Sequence, residues 1–425
     1  MISLVMTITF LVLICLRFPV SISMGLAAMV ALLMGENMFI IIPQYMASGV
    51  ESPALLAVPF FILAGNLMNS VGVTRRIFDF AQHVVGHIKG GLAQVNVVAS
   101  MIFAGISGAA LADCAGLGLI EIKAMTSFGY RKRFAASVTL ASSVIGPIIP
   151  PSITMIIYAI MAEVSIGKLF VAGIVPGLII GFSVMAMNYF LAVRGIEECP
   201  TTPKEPLKVI AGSFFRNSLA LIAPIIILVG LLVGMVTPSE AGIVAILYSL
   251  LIGFIYRDID RLEMKAGLIS SVKSTAVIMF IIGISTVMAW VYTADGVPQK
   301  IANLMIAITE NKYIILTIMN LFLLVLGCIL EPIPVLIITT PILLPVVQQV
   351  GIDFVHFGVV ICYNITLGII TPPMGIGLYV IMGITDISFE ELVKGVIWYL
   401  IPLVVSLFII SFLPQLSLWL PGLFW

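Results

Sequence analysis

The chain has 425 residues, of which 61% are hydrophobic and only 9% are charged, and its formal net charge is zero. A water-soluble domain of this length could not bury so much apolar surface, so the composition excludes a soluble protein and predicts spanning helices of roughly 20 residues. The balanced charge produces no field that would recruit nucleic acid. The five cysteines stand singly and the three histidines form no ligand cluster, so no zinc or redox site is indicated.

Apolar runs follow one another along the chain, and they predict an all-α polytopic membrane protein. The runs lie at about 2–16, 20–35, 53–70, 92–120, 134–161, 169–193, 217–236, 240–256, 274–292, 313–346, 355–384 and 395–413. The polar stretch 195–216 contains three prolines and several charges, which is typical of a linker. We therefore expect a first half at 1–194, a cytoplasmic linker at 195–216 and a second half at 217–425.

Positive charges predict the orientation of these runs. Most of the 20 Lys and Arg residues, among them Arg17, Arg131 and Lys273, fall in polar segments that can all be cytoplasmic. This distribution requires two runs to enter and leave the membrane on one side, as re-entrant hairpins at about 92–125 and 313–346 that open to opposite faces. Both chain termini would then lie outside.

Several glycines and prolines of the first half coincide with those of the second half at an offset of 222 residues. The matched residues are Gly105 with Gly327, Gly129 with Gly351, Gly146 with Gly368, Pro150-Pro151 with Pro372-Pro373, and Gly173 with Gly395. Because the two hairpins would open to opposite faces, the pattern indicates an inverted repeat, the architecture of many secondary transporters. The polar stretch 72–91 is predicted to be an interfacial arm.

Each half contains a proline pair inside an apolar run, at about 134–161 and 355–384. Proline lacks an N–H group, so Pro150 would leave the carbonyl of Gly146 unpaired, and Pro372 that of Gly368. Bare carbonyls belong where they line a cavity, and with neighbouring hydroxyls such as Ser152 they are hard ligands suited to Na⁺. A simple proline kink is the alternative, but two matched pairs favour an ion site.

Each hairpin also carries an acid in an apolar run, Asp113 in the first and Glu331 in the second. Acids in lipid are costly and usually face a cavity or a partner, so both are candidates for substrate binding or gating, as is Ser152. The alternative is a capping or turn residue at the hairpin tip.

Several motifs together resemble the large membrane subunit of tripartite ATP-independent periplasmic (TRAP) transporters. They are Phe60–Gly65, Ile106–Gly108 with Asp113, Pro147–Ser152, Thr340–Pro345 and Thr371–Gly375. The resemblance implies a multi-pass protein of the bacterial inner membrane, not an enzyme, that carries an organic acid with Na⁺. It implies an elevator-type fold of the ion transporter superfamily and two partners, a small four-helix membrane subunit on a separate chain and a periplasmic substrate-binding protein.

The resemblance also implies two Na⁺ sites, with Na⁺ as the coupling ion and no cofactor. The first would use Ser107, Ala109, Gly146, Ile149 and Pro151. The second would use Gly327, Gly368, Thr371 and either Pro373 or Met374. Many relatives have Ser-Gly-Ser where this chain has Ser107-Gly108-Ala109, so a backbone ligand is expected at Ala109.

Three other functions remain open from the residues alone. A proton-coupled transporter would titrate Asp113 or Glu331. A channel would line its path with the glycine-rich breaks, although the sequence contains no carbonyl filter and no charged ring. A membrane enzyme would need a nucleophile with a base or a metal set, which the sequence does not indicate.

Overall fold

The structure, a computed structural model, describes residues 2–16, 18–35 and 39–425. These ranges are helical and contain no strand, which confirms the predicted all-α class. Arg17, which the charge pattern assigns to a cytoplasmic segment, lies outside the described residues.

The part of the chain before the linker forms eleven helices within the described ranges. They are α1 Ile2–Cys15, α2 Val20–Met34, α3 Ile41–Val50, α4 Ala57–Ser70, α5 Val73–Val85, α6 Leu92–Ser107, α7 Ala110–Ala115, α8 Leu117–Ser127, α9 Lys132–Ser143, α10 Ile153–Met161 and α11 Ile166–Val193. A 3-10 turn, Pro53–Leu56, leads into α4.

The part after the linker forms ten more helices. They are α12 Leu207–Leu232, α13 Pro238–Tyr256, α14 Arg261–Ala294, α15 Val297–Ile308, α16 Lys312–Ile329, α17 Pro332–Gln349, α18 Phe354–Gly368, α19 Ile376–Thr385, α20 Phe389–Phe412 and α21 Gln415–Leu418. A 3-10 turn, Pro421–Leu423, follows α21.

Local sequence explains where several of these helices begin. The Asp353 carboxylate accepts a hydrogen bond from the backbone N–H of Val355, at 2.8 Å, and thereby caps α18. Before α5 and α15 the chain turns through Gly72 and Gly296 in the left-handed conformation, at φ of +72° and +65°, which is strained for residues with a Cβ.

Eight helical segments in the described ranges are long and apolar enough to cross a bilayer. Large apolar side chains such as Leu247, Phe254 and Leu321 are exposed, which is expected for a surface in lipid but not in water. The predicted polytopic membrane protein is therefore confirmed at the level of its helices.

The helix boundaries repeat at the offset of 222 residues found in the sequence. The first hairpin segment, 92–127, consists of α6, α7 and α8 and has its tip at the turn through Gly108. The second hairpin segment, 312–349, consists of α16 and α17 and has its tip at the turn at 330–331. The backbone then leaves helical structure at 144–152, between α9 and α10, and at 369–375, between α18 and α19. We call these segments the first and the second break. The inverted orientation of the halves stays a prediction.

The helices pack as two groups. The scaffold group consists of α1–α4 and α12–α14, and the hairpin group consists of α6–α11 and α16–α20. The amphipathic helix α5 lies between α6 and α12, and α15 contacts α17 and α14, so both helices bridge the two groups. The groups face one another where α4 and α14 approach the tips of the two hairpin segments.

Candidate functional site

The end of α6 packs directly on the first break. α6 ends at Ser107, and the chain turns through Gly108 at φ of +63°, a conformation that favours glycine. The Gly108 carbonyl accepts a hydrogen bond from the N–H of Ile153 at 3.3 Å. A Cβ on Gly108 would collide with the backbone of Pro151, so this close approach requires glycine.

Asp113 lies just behind this tip, in α7, and is only 3% exposed. One carboxylate oxygen, Oδ1, accepts a hydrogen bond from the Ser107 hydroxyl, whereas Oδ2 has no partner among the described residues. Oδ2 lies against Gly146, where a Cβ would collide with it. Because an ionised carboxylate is costly to bury alone, this arrangement fits a cation or a proton beside Gly146.

The first break also contains backbone carbonyls without a hydrogen-bond donor. The Pro150–Pro151 peptide bond is cis. The carbonyls of Gly146, Ile149 and Pro151 accept no hydrogen bond from any described residue. Unpaired carbonyls are rare inside proteins, and carbonyl oxygens are the ligands that hard cations prefer. Three of the predicted Na⁺ ligands therefore have free acceptor atoms.

Two other predicted site residues use their polar atoms internally. Ser152 caps α10, since its hydroxyl accepts from the N–H of Met155 at 3.2 Å and donates to the carbonyl of Pro147 at 2.5 Å. The Ala109 carbonyl accepts from the N–H of Asp113 at 3.1 Å. These contacts stabilise the local geometry of the tip and the break.

The second break packs on the end of α16 in a similar way. A Cβ on Gly368 would collide with the backbone of Gly327, so the two glycines are in direct contact. The Gly368 carbonyl accepts from the N–H of Thr371 at 3.1 Å, and the Thr371 hydroxyl donates to the carbonyl of Leu367 at 2.8 Å. The Gly368 carbonyl is therefore paired, and the expectation that Pro372 leaves it without a donor is wrong, because the chain turns so that the N–H of Thr371 reaches it.

Three further predicted residues lie at the surface of this second region. The Pro372–Pro373 bond is cis, and both Pro373 and Met374 are exposed. Glu331 precedes α17 and is half-buried at the tip of the second hairpin segment. The structure therefore brings Ser107, Asp113 and the first break together, and places Gly327, Gly368 and Thr371 in a separate cluster.

A cavity of 680 Å³ lies between the scaffold group and the two tips. α4 and α14 form one wall, and the ends of α6, α7 and α17 form the other. The lining is mainly apolar, and Lys273 and Glu331 are the charged side chains that the described residues contribute to it. Its size and mixed lining are typical of a small-molecule site.

The sequence did not single out the polar residues of the scaffold wall. Lys273, predicted to lie in a cytoplasmic segment, is inside α14 and lines the cavity beside Ser270 and Ser274. Asn66 and Asn69 face the cavity from α4. The spacing of three residues between Asn66 and Asn69, and of three and four residues from Ser270 to Lys273 and Ser274, is the sequence signal that could have revealed one polar face on each helix.

A second buried acid was also missed. Glu121 in α8 is 1% exposed, and its Oε2 accepts a hydrogen bond from the Asn96 amide at 2.7 Å. Asn96 also donates to the Thr139 hydroxyl at 2.8 Å and accepts from the Ser142 hydroxyl at 2.7 Å. This cluster joins α6, α8 and α9 at the back of the first hairpin segment, away from the cavity lining.

Comparison with known families decides which kind of membrane protein this is. The family described as "Tripartite ATP-independent periplasmic transporter, DctM component" matches residues 7–416. The chain belongs to this TRAP transporter family. The resemblance seen in the motifs is therefore confirmed, and this TRAP large permease is a transport protein rather than an enzyme.

Characterised relatives align along most of the TRAP permease. The sialic acid TRAP transporter large permease protein SiaM of Vibrio cholerae is 42% identical over 384 residues, covering 90% of this chain and 89% of that protein. The C4-dicarboxylate TRAP transporter large permease protein DctM of Pseudomonas aeruginosa is 38% identical over 373 residues, covering 88% and 87%. Relatives of similar closeness thus have names that refer to different acids.

The fold also matches a solved transporter. The crystal structure of the Alcanivorax borkumensis YdaH transporter superposes with a TM-score of 0.62 at 12% identity, covering 90% of this chain and 88% of that one. At this identity the likeness concerns the fold alone. With its apolar helices and its family membership, the TRAP permease is a multi-pass protein of the inner membrane.

Proposed function

We propose that this chain is the transport subunit of a TRAP system that imports an organic acid together with Na⁺. It works with a small four-helix membrane subunit and a periplasmic substrate-binding protein, as its family membership suggests. The carrying observation is the cavity between the scaffold group and the two hairpin tips, because a glycine-proline break lies behind each tip. The names of the relatives, which refer to sialic acid and C4-dicarboxylates, support the substrate class.

Na⁺ binds behind both tips in this proposal. At the first site, the free carbonyls of Gly146, Ile149 and Pro151 support cation binding, and the unpaired oxygen of Asp113 supplies a compensating charge. The remaining residues of the two sites are Ser107, Ala109, Gly327, Gly368, Thr371, Pro373 and Met374.

Ion binding and substrate binding are coupled through the tips. A cation held between Ser107 and the first break fixes the tip of the first hairpin segment, and residues of that tip line the cavity. The cavity then binds substrate well only when the ion is present, because each ligand favours the same arrangement of the tip. This coupling prevents an ion leak without substrate.

The hairpin group moves as one unit past the scaffold group in an elevator-like step. The two hairpin segments are re-entrant and the two halves are inverted, so that one unit can face either side of the membrane. The division into two packed groups, with α5 and α15 bridging them, supports this movement. The shared offset of the helix boundaries supports the inverted repeat.

Uptake in proteoliposomes that contain the permease and its small subunit, with the binding protein outside, tests the proposal. We expect uptake of labelled sialic acid or succinate to require an inward Na⁺ gradient and to stop when K⁺ replaces Na⁺. Uptake of neither acid, with every component folded, would contradict organic-acid transport.

Proton coupling is the second candidate, because Oδ2 of Asp113 has no hydrogen-bond partner and a proton could occupy it as well as a cation. In this case a pH gradient would drive uptake without Na⁺. Uptake that follows the pH gradient and ignores Na⁺ replacement would overturn Na⁺ coupling and favour this alternative.

A further inference from the structure

The two charged side chains that the described residues contribute to the cavity lie on opposite walls and have opposite signs. The scaffold wall carries the Lys273 ammonium, with the hydroxyls of Ser270 and Ser274 on the same face of α14. The opposite wall carries the Glu331 carboxylate. Asp113 lies one layer behind that wall, against Gly146. A ligand carboxylate is therefore attracted by one cation on one side and repelled by an acid on the other.

The neutral polar groups of the cavity add hydrogen-bonding capacity. The Asn66 amide donates to the Ser271 hydroxyl at 2.8 Å, which leaves its carbonyl oxygen as a free acceptor. The Asn69 carbonyl oxygen accepts from Thr74 at 2.8 Å, which leaves its amide as a free donor. α4 thus offers a donor and an acceptor one helical turn apart, which suits hydroxyl or acetamide groups.

We propose that this cavity takes a sugar-like monocarboxylate, with Lys273 binding the carboxylate and the α4 amides binding hydroxyl or amide groups, and that it discriminates against dicarboxylates. The inference rests on the proposed function and narrows its substrate class. A second carboxylate would find no second cation in the described lining and would meet Glu331 instead. The volume of 680 Å³ also suits a ligand larger than a four-carbon acid.

Ligand binding to the purified permease with its small subunit, in Na⁺ buffer and without the binding protein, tests this inference directly. Titration calorimetry or ligand-induced thermal shift compares sialic acid (N-acetylneuraminate) with succinate. We expect sialic acid to bind about tenfold tighter or more, because the second carboxylate of succinate has no cation partner in the described lining and faces the Glu331 carboxylate. Equal or tighter binding of succinate would overturn the inference.

Two substitutions separate the roles of the charges. Lys273→Met should weaken sialic acid binding at least about tenfold, because it removes the only lining cation of the described residues. Lys265→Met, earlier on α14 and outside the cavity lining, is the matched control and should leave binding unchanged. Glu331→Gln should improve succinate binding more than sialic acid binding, since it removes the repulsion.

Lys273→Arg, which keeps the charge, and the elution volume of each variant show whether a loss reflects unfolding. Undiminished sialic acid binding by folded Lys273→Met would overturn the assignment. Na⁺-driven uptake of succinate, with no binding of sialic acid, would overturn this inference while leaving the proposed function intact. Absence of uptake for every organic acid would instead contradict the proposed function.

Discussion

Gly108 and Gly146 shape the first tip through the Cβ atoms that they lack. At Gly108 the backbone of Pro151 occupies the space of a side chain, and at Gly146 the Asp113 carboxylate occupies it. The two glycines therefore place the Asp113 carboxylate beside the first break and the backbone of Pro151 beside the tip. At the scale of residues, the proposed ion site depends on these close approaches as much as on side-chain type.

Gly108→Ala tests the first of these contacts. The left-handed backbone and the collision with Pro151 should together destabilise the protein by about 1–3 kcal/mol. We expect a lower apparent melting temperature in detergent and a strong loss of uptake. Gly212→Ala is the control, because no atom lies within 4 Å of its added Cβ. A melting temperature equal to that of the control would show that the tip tolerates a side chain.

Asp113→Asn tests whether this carboxylate compensates a bound cation. The asparagine keeps the shape and can still accept the Ser107 hydrogen bond, but it removes the charge. We expect the Na⁺ concentration for half-maximal uptake to rise about tenfold, as for the loss of one charged contact. Asp79→Asn on the exposed face of α5 should leave it unchanged. An unaltered Na⁺ dependence in Asp113→Asn would remove this residue from the ion site.

At the scale of elements, the linker is bound to the hairpin group rather than hanging free. Glu197 is 6% exposed and pairs with Arg133 at 2.7 Å and with Arg131 at 3.7 Å. The Tyr130 hydroxyl donates to the carbonyl of Pro200 at 2.5 Å. The loop before α9 and the start of the linker therefore form one polar unit, so a movement of the hairpin group would carry this part of the linker with it.

Cys199 reports on this anchoring. Burial, reinforced by the nearby Glu197 carboxylate, raises the pKa of the Cys199 thiol to about 12, so little thiolate is present near pH 7. Alkylation should be slow at neutral pH and accelerate as the pH rises toward that pKa. Arg133→Met breaks the anchor and should speed alkylation several-fold at pH 7.5, measured on the Cys199 peptide by mass spectrometry. Lys132→Met, on an exposed neighbour, should not; equal rates would contradict the anchor.

At the scale of the whole molecule, the cavity lies on the boundary between two packed groups. One close approach across this boundary is that of Gly65 of α4 to Ser107 at the tip. Other close contacts, such as that of Gly283 with Met46, lie within the scaffold group. The two kinds of contact allow movement between the groups to be tested separately from movement inside one group.

A disulfide across the boundary should stop transport. The Cβ of a residue at Gly65 would lie 3.7 Å from that of Ser107, within disulfide range. In a background without the native cysteines, oxidation of Gly65→Cys/Ser107→Cys should abolish the uptake that its reduced form shows. Ser107→Cys alone alters a proposed ion-site residue, so its uptake should be lower but should not change on oxidation. The pair Met46→Cys/Gly283→Cys, at 3.5 Å within the scaffold, should transport in either redox state. Full uptake by the oxidised boundary pair would exclude sliding of the tip past α4.

The sequence predicted the helical class and the position of both breaks, because apolar runs and paired prolines act locally. It also indicated Asp113 and Glu331, since acids are conspicuous in apolar runs. It did not indicate that Lys273 lines a cavity, because the charge pattern assigns this lysine to a polar segment, whereas its surroundings depend on what α14 faces. The contact of Ser107 with Asp113, and the approach of Gly327 to Gly368, arise from tertiary packing that no local pattern encodes.

The two walls of the cavity belong to different helix groups, and this division affects how the substrate is released. Lys273 belongs to the scaffold group, while Glu331 and Ser107 belong to the hairpin group. A substrate that contacts both walls cannot keep all its contacts if the walls shift against each other. Such a shift would move the substrate away from the Lys273 ammonium and leave it beside the Glu331 carboxylate. Movement of the hairpin group would then itself weaken substrate binding, so release on the other side of the membrane would need no separate signal.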